Sequence, residues 1–162
     1  MGGNPAGPFS VGADQGDAFW YLGGRIVYKC SSEQTGGWGL SVETYPPGFA
    51  AALHVHETED SGFYVLSGVM RVRAGEQEFV AGSGDFAFLP RGIPHAFRVG
   101  PEEPVVWLNI QGPTGDFRRL VEETGEPAAG LGLPDAARAP DPEAAALARE
   151  RHNLKLISPP PF

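Results

Sequence analysis

Cysteine, histidine and positive charge are all scarce in this chain, and each shortage excludes a class of function. The sequence contains one cysteine, Cys30, which excludes an internal disulfide framework and a cysteine-rich metal site. Lysine and arginine number 12 against 20 aspartates and glutamates, and the resulting net charge of −8 disfavours a nucleic-acid partner. Four histidines and the carboxylates therefore remain as the plausible metal ligands.

Long apolar runs are missing as well. No stretch approaches the roughly 18 residues that are needed to span a bilayer. The first ten residues, MGGNPAGPFS, have neither the charged nor the apolar region of a signal peptide. The sequence therefore predicts a cytoplasmic protein without a membrane partner. Its 162 residues correspond to one ordinary domain with a real core.

Most of the chain, from 15 to 112, consists of short β-rich stretches. Turn signals such as Gly23-Gly24 and Gly82-Ser83-Gly84 separate them. Turn signals that are spaced this closely favour an all-β protein, either a sandwich or a barrel. The predicted strands are 19–22, 25–30, 38–45, 50–56, 62–66, 69–73, 77–80, 85–89, 95–99 and 104–110.

Two segments of different composition flank this β-rich region. Residues 1–14 are rich in glycine and proline without a period, which predicts a flexible N-terminal tail. Residues 113–162 are predicted to be a helical extension packed outside the barrel. One helix is expected to follow Thr114 as its N-cap, and a second to run from an Asp141 cap to about Arg151.

Three of the four histidines lie in two patterned segments. His54 and His56 are two apart on a predicted strand, so both imidazoles project from the same face. His95 begins another strand after a proline- and glycine-containing turn, and a hairpin of this kind brings it opposite the first two. His152 ends the last predicted helix, where a histidine interacts with the carbonyl end of the helix dipole, and it is not expected to be a ligand.

Both patterned segments resemble the paired motifs of the cupin superfamily. The matching residues are Gly48, His54, His56 and Gly68 in the first segment and Gly84, Pro90, Gly92 and His95 in the second. Only 15 residues separate Gly68 from Gly84. The flanking stretches Phe63-Tyr64-Val65-Leu66 and Pro94-His95-Ala96-Phe97 are similar to those of single-domain flavonol (quercetin) dioxygenase-like cupins.

The resemblance implies a cupin barrel, a double-stranded β-helix or jelly roll, at 15–112 with the C-terminal helices packed outside it. It also implies that His54, His56 and His95 hold one divalent transition-metal ion, whose identity stays open among Fe, Ni, Zn, Cu and Mn. A homodimer is expected too. The two-motif barrel begins only near residue 38, so the apolar strands between 19 and 30 are expected to pair with a neighbouring barrel.

One position departs from the family pattern in a way that affects the chemistry. Flavonol dioxygenases usually carry a glutamate seven residues before the closing glycine, which binds the metal and acts as base, and here that position is Ser61. Ser61 is therefore the candidate catalytic position, either enlarging the pocket or positioning water. Whether Glu59 or Asp60 replaces the missing ligand stays open. The favoured interpretation is that Glu57, Glu59 and Asp60 form a solvated turn.

Alternation along the strands predicts which side chains line the barrel. The predicted substrate pocket contains Trp38, Leu40, Phe63, Val65, Phe97, Trp107 and Asn109. This lining suits a flat aromatic molecule. The leading hypothesis is a metal-dependent dioxygenase of secondary metabolism acting on a small aromatic or polyketide-like substrate. A non-redox cyclase or isomerase, and a non-catalytic ligand-binding cupin, remain alternatives.

Overall fold

The computed structural model describes residues 6–162, and each of the ten predicted strands overlaps a strand in it. The strands are β1 (Asp17–Tyr21), β2 (Gly24–Cys30), β3 (Gly39–Tyr45), β4 (Leu53–His56), β5 (Asp60–Ser67), β6 (Val69–Ala74), β7 (Gln77–Gly82), β8 (Phe86–Leu89), β9 (His95–Val99), β10 (Val105–Gly112), β11 (Glu126–Pro127) and β12 (Leu154–Ser158). The helices are α1 (Ser32–Thr35), α2 (Asp116–Thr124) and α3 (Pro142–Arg151).

The strands form two antiparallel sheets. The larger sheet has the order β11-β1-β2-β3-β10-β5-β8, and the smaller one β12-β4-β9-β6-β7. One apolar core cluster draws its side chains from both sheets, which therefore pack face to face. The predicted all-β barrel with helices outside it is confirmed.

Alternation along each strand decides what lies inside the barrel. On β10 the side chains of Val105, Trp107, Asn109 and Gln111 are buried, while the residues between them are not. The Trp107 ring, fully buried, packs against the neighbouring aromatic rings at centroid distances of 5.2 to 5.6 Å. Apolar side chains therefore fill one end of the barrel, and a ligand must enter at the other.

The helices are short, and the first of them does not begin as predicted. Gly115, not Thr114, is the N-cap residue of α2. Thr114 instead donates its hydroxyl hydrogen to Thr58. The predicted Asp141 cap of α3 is confirmed, because its side chain accepts a hydrogen bond from the Ala144 amide. Across residues 6–162, no helix reaches the length and apolarity that crossing a membrane requires.

The predicted extension at 113–162 is not wholly helical. Strand β12 pairs with the edge of β4, placing Leu154 opposite His56 and Leu156 opposite His54. The sequence of β12 shows no clean alternation, and several of its side chains remain exposed, so its own pattern gave no strand signal. The open edge of β4 supplies the pairing partner that orders it.

Part of the predicted N-terminal tail is attached to the barrel. Residues 1–5 lie outside the described residues. Further along, the Lys29 ammonium group donates hydrogen bonds to the carbonyl oxygens of Gly12, Ala13 and Gln15. These hydrogen bonds hold residues 12–15 against β2. The sequence-based boundary at residue 14 had placed most of them in the flexible tail.

Candidate metal centre

The three predicted metal ligands converge at the open end of the barrel. His54 and His56 lie on one face of β4, and His95, the first residue of β9, is the register partner of His54. One nitrogen from each ring lies within 4.8 Å of the other two. The distances between ring centroids are 4.5, 5.1 and 5.4 Å. Three imidazoles can thus reach a single ion.

Hydrogen bonds to the backbone set the tautomer of two of these rings. Nδ1 of His54 lies 2.7 Å from the Ala52 carbonyl oxygen, and Nδ1 of His95 lies 3.0 Å from that of Ile93. A carbonyl oxygen only accepts, so Nδ1 must carry the proton in both rings. The lone pair of each neutral ring is then on Nε2, where it is available to a metal.

Burial keeps the three imidazoles neutral. It lowers the pKa of His54, and it lowers that of His95 to about 3, with a further contribution from the neighbouring His54. The pKa of His56 lies well below its ordinary value for the same reason, with the other two rings adding to the effect. Neutral imidazoles are the form that binds metal. This donor set therefore fits a divalent transition metal.

Neither candidate replacement for the missing glutamate ligand joins the histidines. Asp60 forms an ion pair with Arg91 at the surface, with 2.6 Å between carboxylate oxygen and guanidinium nitrogen. Glu59 is only 1% exposed, so the predicted solvated turn is wrong for this residue. Its carboxylate accepts hydrogen bonds from the amides of Gly115 and Phe117 at the start of α2. Glu59 thus provides the capping group that the N-cap residue of α2 lacks.

We expect Glu59→Ala to lower the free energy of unfolding by about 2 kcal/mol, because two amides at a helix N-terminus lose their acceptor. Glu57→Ala is the matched control. Glu57 forms an exposed pair with Lys155, and its loss is expected to cost less than about 1 kcal/mol. Urea unfolding of both variants checks the difference, and equal midpoints would contradict the capping role.

A cavity of about 460 Å³ lies beside the histidines. Its apolar wall is formed by the rings of Tyr45, Phe49, Phe63 and Phe97. The C-terminal part of the chain covers it, through residues 137–140, α3 and β12. Phe117 of α2 also contributes, with its ring centroid 5.4 Å from that of His56. The cavity is thus mainly aromatic and aliphatic, with polar groups at a few places.

The structure separates the residues predicted for the pocket into three groups. The cavity is lined by Phe63, Phe97 and Asn109, and also by Ser61, the candidate catalytic position. Val65 and Trp107 point inward but lie in the filled end of the barrel. Trp38 and Leu40 lie outside the cavity, so their predicted position is wrong. Trp38 precedes β3 and is 48% exposed, and Leu40 points outward because Ser41 and its alternate neighbours on β3 point inward.

Ser61 and His152 both have polar partners in the structure. Ser61 is 2% exposed and accepts a hydrogen bond of 3.1 Å from the Gln111 side-chain amide, itself part of the cavity wall. His152 caps the C-terminus of α3, with its Nε2 atom 2.8 Å from a Glu123 oxygen.

Three charged residues of the cavity were not predicted from the sequence. Glu43 points into it from β3, on the inward side shared with Ser41 and Tyr45. One feature of the sequence could have identified Glu43. It is an acidic residue at an inward position of an alternating strand, and this strand precedes both histidine segments. Arg138 and Arg149 border the cavity from the C-terminal region. No sequence motif identified these arginines, because they reach the cavity only when the C-terminal segment packs against the barrel.

Comparison with known proteins agrees with this geometry. Residues 41–111 match the family described as Cupin domain. Quercetin 2,3-dioxygenase from Bacillus subtilis (strain 168) is 36% identical over 52 residues, which cover 32% of this chain and 15% of that protein. The match therefore spans only a small part of this curated relative.

Two solved structures share the fold over most of their length. KdgF from Halomonas sp. has a TM-score of 0.59 and 18% identity, covering 70% of this chain and 99% of that one. An RmlC-like cupin from Shewanella frigidimarina also has a TM-score of 0.59, at 16% identity, covering 68% and 96% of the two chains. The two facing sheets and these structures together show that this chain has the cupin fold, and residues 41–111 match the Cupin domain family.

Proposed function

We propose that this chain is a metal-dependent enzyme of the cupin superfamily that acts on a small aromatic or polyketide-like molecule as a dioxygenase. One observation carries the proposal: three neutral imidazoles, of which His56 and His95 are buried and His54 is half-buried, face a cavity with an aromatic wall. His54, His56 and His95 would hold the ion. When bound there, the metal supplies a Lewis-acidic or redox-active centre with coordination positions left for substrate.

The cavity supports an aromatic substrate by its shape and its few polar groups. Its volume of about 460 Å³ lies within the range of roughly 300–1,000 Å³ that small-molecule sites occupy. Phe63 and Phe97 offer ring surfaces for stacking, while Asn109 and Gln111 offer amides for hydrogen bonds. The stretch shared with quercetin 2,3-dioxygenase favours oxygenase chemistry among the reactions open to such a site.

An oxygen electrode and product analysis distinguish the candidate functions. Metal-free protein is loaded separately with Fe²⁺, Mn²⁺, Ni²⁺, Cu²⁺ or Zn²⁺ and incubated with catechols, flavonols and small phenolic polyketides. Oxygen uptake that depends on both metal and substrate supports the dioxygenase. Product formed without oxygen uptake identifies a cyclase or isomerase instead. Binding without turnover of any compound identifies a ligand-binding cupin, and both outcomes overturn the dioxygenase proposal.

We expect little or no cleavage of simple flavonols by the wild-type protein, because Ser61 occupies the position of the base in flavonol dioxygenases. A serine hydroxyl is hardly ionised near neutral pH, and general-base catalysis is worth about 10²–10⁴-fold. Ser61→Glu is expected to tighten metal binding and to raise the rate of quercetin cleavage. Ser61→Ala is the matched control. Rapid wild-type oxygen consumption with quercetin that Ser61→Ala leaves unchanged contradicts this role.

We also propose a homodimer, through a different surface from the early strands. Val121 of α2 already covers Ile26 and Tyr28 of β2 within the chain. The outer face of the larger sheet instead exposes a group of apolar side chains, 42% to 60% accessible. This group consists of Tyr64, Phe86, Phe88 and Ile110. A second copy offers the same uncharged face, whereas the rest of two chains of charge −8 repel each other.

Light scattering is expected to give the mass of two chains at micromolar concentration. Phe88→Glu should shift the protein to the monomer, because it places a charge in the proposed contact. Val80→Glu is the control, since Val80 is 66% exposed on the smaller sheet. A wild-type monomer would count against the dimer.

A further inference from the structure

A single carboxyl group faces the cavity among its described lining residues, and it belongs to Glu43. Glu43 lies within β3 of the larger sheet, while the three histidines belong to the smaller sheet. Its side chain is only 3% exposed. Carboxyl groups are rarely buried so completely unless they are paired or have a function.

The hydrogen bonds of Glu43 are incomplete. Its Oε1 atom accepts from the Ser41 hydroxyl at 3.0 Å and from the Asn109 side-chain amide at 2.7 Å. Its Oε2 atom has no hydrogen-bond partner in the part of the chain that the structure describes. Oδ1 of Asn109 is likewise buried without a partner. Buried polar atoms are nearly always satisfied, so the unpaired Asn109 oxygen beside Glu43 points to a partner that arrives with a ligand.

Glu43 titrates in the neutral range, whereas the tyrosines around it do not. Burial raises its pKa to about 7, against the two hydrogen bonds from Asn109 and Ser41. The phenol pKa values of Tyr21, Tyr28 and Tyr45 are raised chiefly by burial, with the charge of Glu43 adding to each. The other titratable or charged groups of the cavity are His54, His56, His95, Arg138 and Arg149. Each tyrosine therefore stays protonated at neutral pH.

We propose that Glu43 is the acid–base residue of the cavity and exchanges a proton with a phenolic or enolic hydroxyl of the bound ligand. The ligand class rests on the proposed function. In this step the O–H bond of the ligand breaks and its electron pair stays on the ligand oxygen. The proton moves to Oε2 of Glu43, which becomes a neutral carboxylic acid. The reverse transfer returns the proton to the product.

This assignment places the base on β3, which β10 separates from β5, the strand of the same sheet that carries Ser61 at the position of the base in flavonol dioxygenases. Ser61 cannot take the proton unaided, and Glu59 and Asp60 are held by α2 and Arg91. Glu43 is the carboxyl group that remains available to a ligand in the cavity. It would therefore supply a base from a different strand, for a ligand whose hydroxyl lies beside Glu43 rather than beside Ser61.

Infrared difference spectroscopy tests the assignment directly. In metal-free protein, the carbonyl stretching band of a protonated carboxyl group should disappear with a midpoint near pH 7. The band should be absent from Glu43→Gln and unchanged in Glu76→Gln, whose side chain is exposed. Asn109→Ala retains Glu43 and should move the midpoint to higher pH, because it removes a hydrogen bond that favours the ionised form. This variant preserves the test if Glu43→Gln does not fold.

The second arm uses catechol as the probe and zinc as the metal. At pH 8, adding catechol to the zinc-loaded protein should restore the carboxyl band in wild type but not in Glu43→Gln. Calorimetry measures catechol binding independently. Binding without any carboxyl band, or a midpoint in the range of an ordinary glutamate, roughly pH 4–5, overturns the proposal. If catechol does not bind, the proposed ligand class fails, and the pH titration alone then decides whether Glu43 can exchange a proton at neutral pH.

Discussion

Replacing His54, His56 or His95 with alanine is expected to remove the metal from the purified protein. The wild type should carry about one divalent ion per chain, since one nitrogen of each ring lies within 4.8 Å of the other two. Loss of an outer-shell partner alone typically weakens metal binding about 10–100-fold, and loss of a ligand should exceed that. Elemental analysis after dialysis should therefore find almost no metal in any of the three variants.

His152→Ala is the matched control for these substitutions. His152, at the end of α3, pairs with Glu123, and among residues 6–162 it is not part of the histidine group that could hold a metal. Its variant should keep the wild-type metal content. Circular dichroism of each variant separates loss of metal from loss of the fold. Wild-type protein without metal, even after reconstitution with Fe²⁺, Ni²⁺, Cu²⁺, Mn²⁺ and Zn²⁺ in turn, would falsify the proposed centre.

Glu43→Gln is expected to stabilise the protein at alkaline pH relative to wild type. The Glu43 pKa is raised from 4.5 to about 7 in the folded state, so folding favours its neutral form. This contribution to stability is complete below about pH 4.5 and is lost as the pH rises through about 7. A glutamine remains neutral throughout. The difference between the two free energies of unfolding should thus change by about 3 kcal/mol in favour of the variant.

Urea unfolding at pH 4.5 and pH 8, with a chelator present, measures this change. The chelator removes the bound ion, whose charge would itself favour the carboxylate. Glu76→Gln serves as the control, because an exposed glutamate with the same substitution should show no such dependence on pH. If the difference between Glu43→Gln and wild type is the same at both pH values, the carboxyl group of Glu43 is not neutral when folded.

The strands and the histidine group could be predicted from the sequence because both depend on local patterns. Period-two alternation and dense turn signals located β1 to β10, and the His54 and His56 spacing fixed a shared face before any tertiary contact was known. The same alternation correctly turned Asn109 toward the interior. It failed for Leu40, because the inward side of β3 is set by its pairing with β2 and β10.

The parts that escaped prediction depend on contacts between distant segments. Strand β12 is ordered by pairing with β4, about a hundred residues earlier in the chain. Glu59 is buried because α2 brings two amides to it. Glu43 has a functional interpretation only once Asn109 and the cavity are seen beside it. None of these partners can be read from the residues next to them.

The cover of the cavity lies on a different stretch of chain from the histidines. Residues 137–140, α3 and β12 form it, whereas β4 and β9 hold the candidate ligands. Selection can therefore act on these two stretches separately. Substitutions at Ala137, Ala139 or Pro140 would change which molecules fit while leaving the imidazoles in place. A lineage of such proteins could diversify in substrate while retaining one reactive centre, and a laboratory library aimed at new substrates would begin in this cover.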